Sequence, residues 1–167
     1  MKKAVSIDIS ASADRVWTVA AIEFDKIGRW ASNVSSSEGL SGPAAAGLSA
    51  KPPVAGRTCA TPQGNTVEKL IAFDDGSKSF TYEISGDAMP GFVERATNTW
   101  TVESTGADSA RLTMSVRMST RGLVGSIMQP MMKVGMGKLL RVNLEELKHF
   151  IETGQPHARK RKQQKTR

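Results

Sequence analysis

One cysteine and two histidines are all this chain holds of the side chains that most often carry nucleophilic, redox or metal chemistry. A lone Cys59 forms no intramolecular disulfide, which is compatible with a reducing compartment, and a cytoplasmic location is expected. His149 and His157 lack a metal-ligand spacing such as H-x-x-x-H, and Cys59 has no evident histidine partner, so neither a metal site nor a cysteine nucleophile is expected. Gly135-Met136-Gly137 lacks the strand-turn-helix setting and the further glycines of a phosphate loop, and no other cofactor motif stands in its place. Long apolar runs are missing too. No stretch of about 18 apolar residues exists, so no membrane-spanning helix is expected. The basic start Met1-Lys2-Lys3 is followed by Ser6, Asp8 and Ser10, which break the apolar run that a signal peptide needs. Acid is missing from the C-terminal segment. Gly154 to Arg167 carries six Lys or Arg and no Asp or Glu. Removing it from the totals leaves 17 basic against 16 acidic residues, so the net charge of +7 belongs to a tail and the body is nearly neutral. That argues against a nucleic-acid-binding domain.

What remains is a chain of 167 residues, enough for one domain with a sizeable core. Ala4 to Ser10 alternates strictly, with Val5, Ile7 and Ile9 on one face of a half-buried strand. Ser12 is placed as a helix N-cap and Asp14 lies in the first turn, followed by Val16, Trp17, Val19 and Ala20 at helical spacing. A second short helix fits Glu23 to Ile27, stopped by Gly28 and Trp30. A short strand is placed near Val34 to Leu40, a loop from Ser41 to Pro53, and a strand at Gly56 to Thr61. The clearest local signal is a hairpin, Thr66 to Phe73 against Lys78 to Ser85. Asp74-Asp75-Gly76-Ser77 joins its arms, and Gly76 is the residue able to take positive φ. Val93 to Glu103 follows, with Ala96, Asn98, Trp100 and Val102 on one side and threonines on the other. Leu112, Met114, Val116 and Met118 then alternate with polar residues. After Gly122 the period changes to that of a helix. Pro130 suits a first turn, and the helix is expected from Pro130 to Glu152, with an earlier turn allowed at Val124 to Met128. Leu140, Leu144, Leu147 and Ile151 form its apolar stripe, and Gly154 ends it. The order predicts an α+β fold: a curved antiparallel sheet of six to seven strands around a long C-terminal helix, with two short helices after the first strand. Residues 1–154 form the domain, and 155–167 read as a disordered basic tail.

The pattern resembles the SRPBCC superfamily, the START-like or pollen-allergen-like group that includes polyketide cyclase/dehydrase and lipid-transport proteins. The likeness is carried by Val5-Ser6-Ile7-Asp8-Ile9, Ser12-Ala13-Asp14-Arg15-Val16-Trp17, Ile27-Gly28-Arg29-Trp30, Gly56-Arg57, Thr99-Trp100-Thr101-Val102 and Leu144-Glu145-Glu146-Leu147-Lys148 in that order. It implies a helix-grip architecture with a cavity between sheet and helix, and small apolar ligands as a class. It implies no universal catalytic residue.

Several residues are candidates for the cavity lining. Met114, Met118, Met128, Met132 and Met136 gather around the last helix, where a flexible thioether suits either a deformable wall or an ordinary core. Phe80, Tyr82, Asn98 and Trp100 face inward by strand parity, and Trp30 stands at the rim or in the core. A buried Asn98 amide needs partners, from the protein or from a ligand. Three functions follow from this reading. The first is binding or transport of a small apolar ligand. The second is a polyketide cyclase/dehydratase-like enzyme, for which no persuasive catalytic set is present. The third is an interaction protein whose tail makes weak contact with nucleic acid or an acidic membrane surface, the bland alternative being a solvated tail.

Overall fold

The computed structural model describes residues 1–42, 48 and 51–165. Its framework is one seven-stranded antiparallel sheet, in the order β1 (Lys2–Ile9), β7 (Ser109–Thr120), β6 (Val93–Gly106), β5 (Ser79–Ser85), β4 (Gly64–Asp74), β3 (Gly56–Thr61) and β2 (Ser36–Gly39). Strands β2 to β7 form a meander, and β1 closes onto β7. The alternation read in the sequence is the alternation of burial: Ala110, Leu112, Met114, Val116 and Met118 are buried on β7 while Arg111 and Arg117 are exposed. The expected loop from Ser41 to Pro53 falls largely outside the described residues.

Helix α1 (Ala13–Trp17) starts where Ser12 accepts a hydrogen bond from the Arg15 N–H at 3.3 Å. A π-helical turn at Thr18–Ile22 and a 3-10 turn at Phe24–Arg29 continue it. Trp17, Phe24, Phe73, Phe80 and Trp100 interlock between these turns and the sheet. Ring centroids lie 5.3 Å apart for Trp17 and Phe73 and 5.4 Å for Phe80 and Trp100, a tilted geometry that aromatic quadrupoles favour.

The long helix, α2, runs from Gly122 to Thr153, eight residues earlier than expected, so Pro130 sits inside it. The proline removes one backbone donor and crowds the carbonyl four residues before it. The second half of α2 supplies the stripe the periodicity identified: Leu140, Leu144 and Leu147 are buried against the sheet. Gly154 ends it with φ of 70°, the left-handed cap that glycine adopts without penalty.

Two expectations fail locally. In the β4–β5 hairpin Asp74 Oδ1 accepts from the N–H groups of Gly76 and Ser77 at 3.0 and 3.1 Å. That Asx-type bonding forms the turn, and the positive φ falls on Lys78 at 49°. The tail reading differs more. Residues Ala158–Lys165 form helix α3, which folds back on the domain. Lys160 is buried, its Nζ donating to the Val34 carbonyl at 2.6 Å and to Gln163 Oε1 at 2.8 Å. Arg159 reaches Glu146 at 2.7 Å and Glu145 at 3.0 Å. Composition treats a basic run as solvated, whereas specific acceptors on α2 and the 31–34 segment order this one.

Candidate functional site

Between the sheet and the first half of α2 lies a cavity of about 500 Å³, within the range of small-molecule sites. Strands β3 to β7 form its floor and α2 its roof. Segments at Asn33–Val34 and Ala88–Pro90 make up its rim. Tyr82, Asn98, Trp100, Met118, Met132 and Met136 of the ten candidates line it. The other four do not. Phe80 lies deeper, in edge-to-face contact with Trp17 and Phe24. Met114 lies opposite Trp100 in the β6–β7 register and is fully buried. Trp30 is core, and Met128 is half-buried on α2 one turn before the cavity begins. Strand parity identifies a face, and the curvature of the sheet decides which part of that face is covered by core and which by cavity.

Reading parity alone also passed over the strongest polar group in the wall. Arg57 and Glu68 face each other across β3 and β4 and form an ion pair, with Nε donating to Glu68 Oε2 at 2.6 Å. Arg57 is 2 % exposed. Its Nη1 donates to the Phe24 carbonyl at 2.6 Å, and its guanidinium lies 3.8 Å from the centroid of the Phe24 ring. Burial disfavours the charge on Arg57, and the Glu68 carboxylate, with Tyr82 and Cys59, together offset that and hold the pKa above its ordinary value. Two local features bring the pair together. A Cβ at Gly56 would collide with the Glu68 carbonyl, so glycine lets β3 approach β4 closely. A bulge between Leu70 and Ala72 restores the inward direction for Phe73 while Thr66, Glu68 and Leu70 keep theirs. The signal was present in the sequence: Cys59, a residue type that is usually buried, shares strand parity with Arg57.

Cys59 and Tyr82 are chemically quiet. Burial pushes the Cys59 thiol up to about 11 and raises the Tyr82 hydroxyl well above the ordinary phenol range. Both stay protonated near neutral pH. Among the described residues no group of three or more His, Cys, Asp or Glu could hold a metal ion.

The distribution of unsatisfied polar atoms is uneven. Among the described residues, buried side-chain polar atoms without a hydrogen-bond partner belong to Asn33, Arg57, Thr66, Asn98, Trp100 and Asn143, and every one of these residues lines the cavity. Three have near neighbours that soften the deficit. Arg57 faces Glu68, Thr66 faces the Cys59 thiol, and Trp100 faces the Tyr82 hydroxyl. The amide oxygens of Asn33, Asn98 and Asn143 have none, although Asn98 Nδ2 donates to the Tyr82 hydroxyl at 2.9 Å. They come from three separate elements: the segment before β2, strand β6 and helix α2. Each such group carries a desolvation cost of about 1–3 kcal/mol unless something in the cavity answers it.

Comparison with known proteins gives the family. A family described as polyketide cyclase / dehydrase and lipid transport matches residues 2–152. Among solved structures, a START superfamily protein from Mycobacterium smegmatis is 12% identical, covers 90% of this chain and 97% of its own, and superposes with a TM-score of 0.70. Norcoclaurine synthase from Thalictrum flavum is 17% identical, with coverage of 90% and 94% and a TM-score of 0.63. The di-domain ARO/CYC BexL of the BE-7585A biosynthetic pathway is 15% identical, with coverage of 91% of this chain and 46% of BexL and a TM-score of 0.70. These likenesses establish the helix-grip fold. No curated protein matches the sequence significantly.

Proposed function

We propose, from the premise that the chain belongs to the polyketide cyclase / dehydrase and lipid transport family of the SRPBCC superfamily, that it binds a small, mainly apolar ligand that also carries hydrogen-bond donors, in the cavity beneath α2. The observation that supports this is that Asn33, Asn98 and Asn143, whose buried amide oxygens lack partners, all line one mainly apolar cavity. Met118, Met132 and Met136 supply a compliant apolar surface. The amides, with the fixed Arg57–Glu68 pair, supply orientation. A pure hydrocarbon would leave those oxygens unanswered, whereas a ligand bearing hydroxyl or N–H groups satisfies them. Binding in a reducing, cytoplasmic setting belongs to the same proposal.

A second reading, an enzyme that moves a proton on a bound substrate, draws on Glu68, the one carboxylate among the described residues of the cavity wall. Its near neighbours in fold include a named synthase and an ARO/CYC protein. Against it stands the ion pair with Arg57, which holds Glu68 Oε2 and fixes the carboxylate in the wall.

Gly135 provides the test. It lines the cavity, and a Cβ built there meets nothing within 4 Å. Gly135→Leu places a bulky side chain at the cavity wall, and leucine is better than glycine in a helix by ~1 kcal/mol. Native mass spectrometry of the protein isolated from its own source is expected to show a bound small molecule, and the Gly135→Leu protein is expected to fold and to lose it. A wild-type protein that is empty, and that no hydroxylated amphiphile raises in melting temperature, would reject the proposal.

A further inference from the structure

The outer face of the same helix half has its own chemistry. Leu123, Ile127, Met131 and Val134 stand at i, i+4, i+8 and i+11 of α2, which places them within a narrow arc of the helix surface. They are 83%, 75%, 62% and 76% exposed, and Val124 beside them is 61% exposed. The cavity-lining residues Met132, Met136 and Leu139 occupy the opposite side, with Gly135 between the two faces. This half of α2 is therefore apolar on both faces, and only one is accounted for by the domain.

Charge indicates what covers the other. Between Asp108 and Glu145 the sequence has no Asp or Glu, while Arg121, Lys133, Lys138 and Arg141 lie along or beside the exposed stripe. Among the described residues none of these four forms an ion pair; Arg121 donates to the Gly91 carbonyl at 2.9 Å. Lys138 and Arg141 continue the apolar arc into the next turns, and the Lys3 side chain passes close to Gly137. Asp87 lies in the neighbouring β5–β6 loop and Glu94 at the start of β6. A second copy of this surface would bring like charges together with no acid on the Gly122–Arg141 portion of α2 to answer them. An anionic bilayer answers both features, because its acyl boundary takes the apolar stripe and its headgroups take the cations.

We propose that the Gly122–Arg141 portion of α2 is a docking face for an anionic membrane surface, with Leu123, Ile127, Met131 and Val134 entering the interface and Lys133, Lys138 and Arg141 contacting lipid phosphates. The rim loop at Ala88–Pro90 lies beside the start of this helix, where the Arg121 N–H bonds the Phe92 carbonyl at 2.9 Å. Docking therefore sets the cavity rim against the lipid. It does not depend on the cavity's own ligand, so the two proposals fail separately.

The experiment is flotation of the full chain with vesicles of phosphatidylcholine alone or with about one-third phosphatidylglycerol. Binding is expected to be several-fold stronger with phosphatidylglycerol and to weaken as salt screens the charges. Ile127→Ser with Val134→Ser is expected to abolish it. Lys133→Gln and Lys138→Gln are each expected to cost about fivefold. Neutralising Arg161 and Lys165 in the tail is expected to leave it unchanged. All these side chains are exposed, and circular dichroism checks that the fold is kept. The proposal is overturned if the wild type floats with neither vesicle, or if the serine variant floats as well as the wild type. Sedimentation of a dimer that the same serine substitutions dissolve would equally overturn it, and assign the face to a second copy.

Discussion

Arg57 and Glu68 meet in a wall where neither charge is well hydrated, and each is tolerated because of the other. Removing one partner of such a buried pair typically costs about 3–5 kcal/mol, while replacing both with apolar side chains is often near neutral. Arg57→Met is thus expected to lower the melting temperature sharply, and Arg57→Met with Glu68→Leu to recover most of the loss; thermal denaturation of the three proteins gives the coupling directly. Cys59, two residues along the same strand, makes a pH prediction. Its folded pKa of about 11 lies above the ordinary 9.0, so the folded state holds the proton more tightly. That contribution is fully present below about 9 and is lost as pH rises through about 11. Cys59→Ala is expected to flatten the fall in stability between those values, read by urea denaturation across the alkaline range. If the slope is unchanged, the Cys59 thiol does not ionise in step with unfolding.

At the scale of elements, α3 joins parts of the molecule that the main sheet does not. Glu146 is fully buried on α2. It accepts from the Ser32 N–H and the Ser32 hydroxyl, both at 2.7 Å, and from Arg159 Nε at the same distance. Lys160 then fixes the carbonyl of Val34, a rim residue. The last helix and α2 therefore hold the 31–34 segment from two sides. Deleting residues 157–167 removes the Lys160 contact to Val34 and leaves Glu146 with Ser32 alone. Hydrogen exchange is expected to accelerate at residues 31–35 by an order of magnitude or more, about 1.4 kcal/mol at the least, while the β6–β7 ladder stays protected. Unchanged protection at 31–35 would reduce α3 to a surface ornament. The two halves of α2 differ in the same physical sense. Leu140 to Ile151 is fixed by burial, whereas Gly122 to Leu139 holds Pro130, Gly135 and Gly137 and exposes its apolar side chains.

At the scale of the whole molecule, the sheet and helix enclose a space that the sequence signalled only through its parities. Alternation along β1, β6 and β7, the period change after Gly122 and the Leu140-Leu144-Leu147 stripe were legible because each is a local pattern tied to one face of one element. They determine the α+β order, the antiparallel meander and the existence of an apolar interior between sheet and helix. The cavity lining was legible in part. Tyr82, Asn98 and Trp100 follow from strand parity, but Phe80 and Met114, with the same parity, lie under core. How far a sheet curves away from a helix is a property of all seven strands together. Arg57, Glu68, Asn33 and Asn143 became one site only on folding, because the chain brings them from the segment before β2, two neighbouring strands and a helix more than 100 residues downstream. The tail shows the same division. Its charge was plain from the sequence, while its order depends on Glu145, Glu146 and the Val34 carbonyl lying within reach, which only the tertiary structure decides. Local periodicity fixes which face of each element is apolar. Which polar groups are left facing one another without partners is set by long-range packing, and that is where the function is proposed to lie.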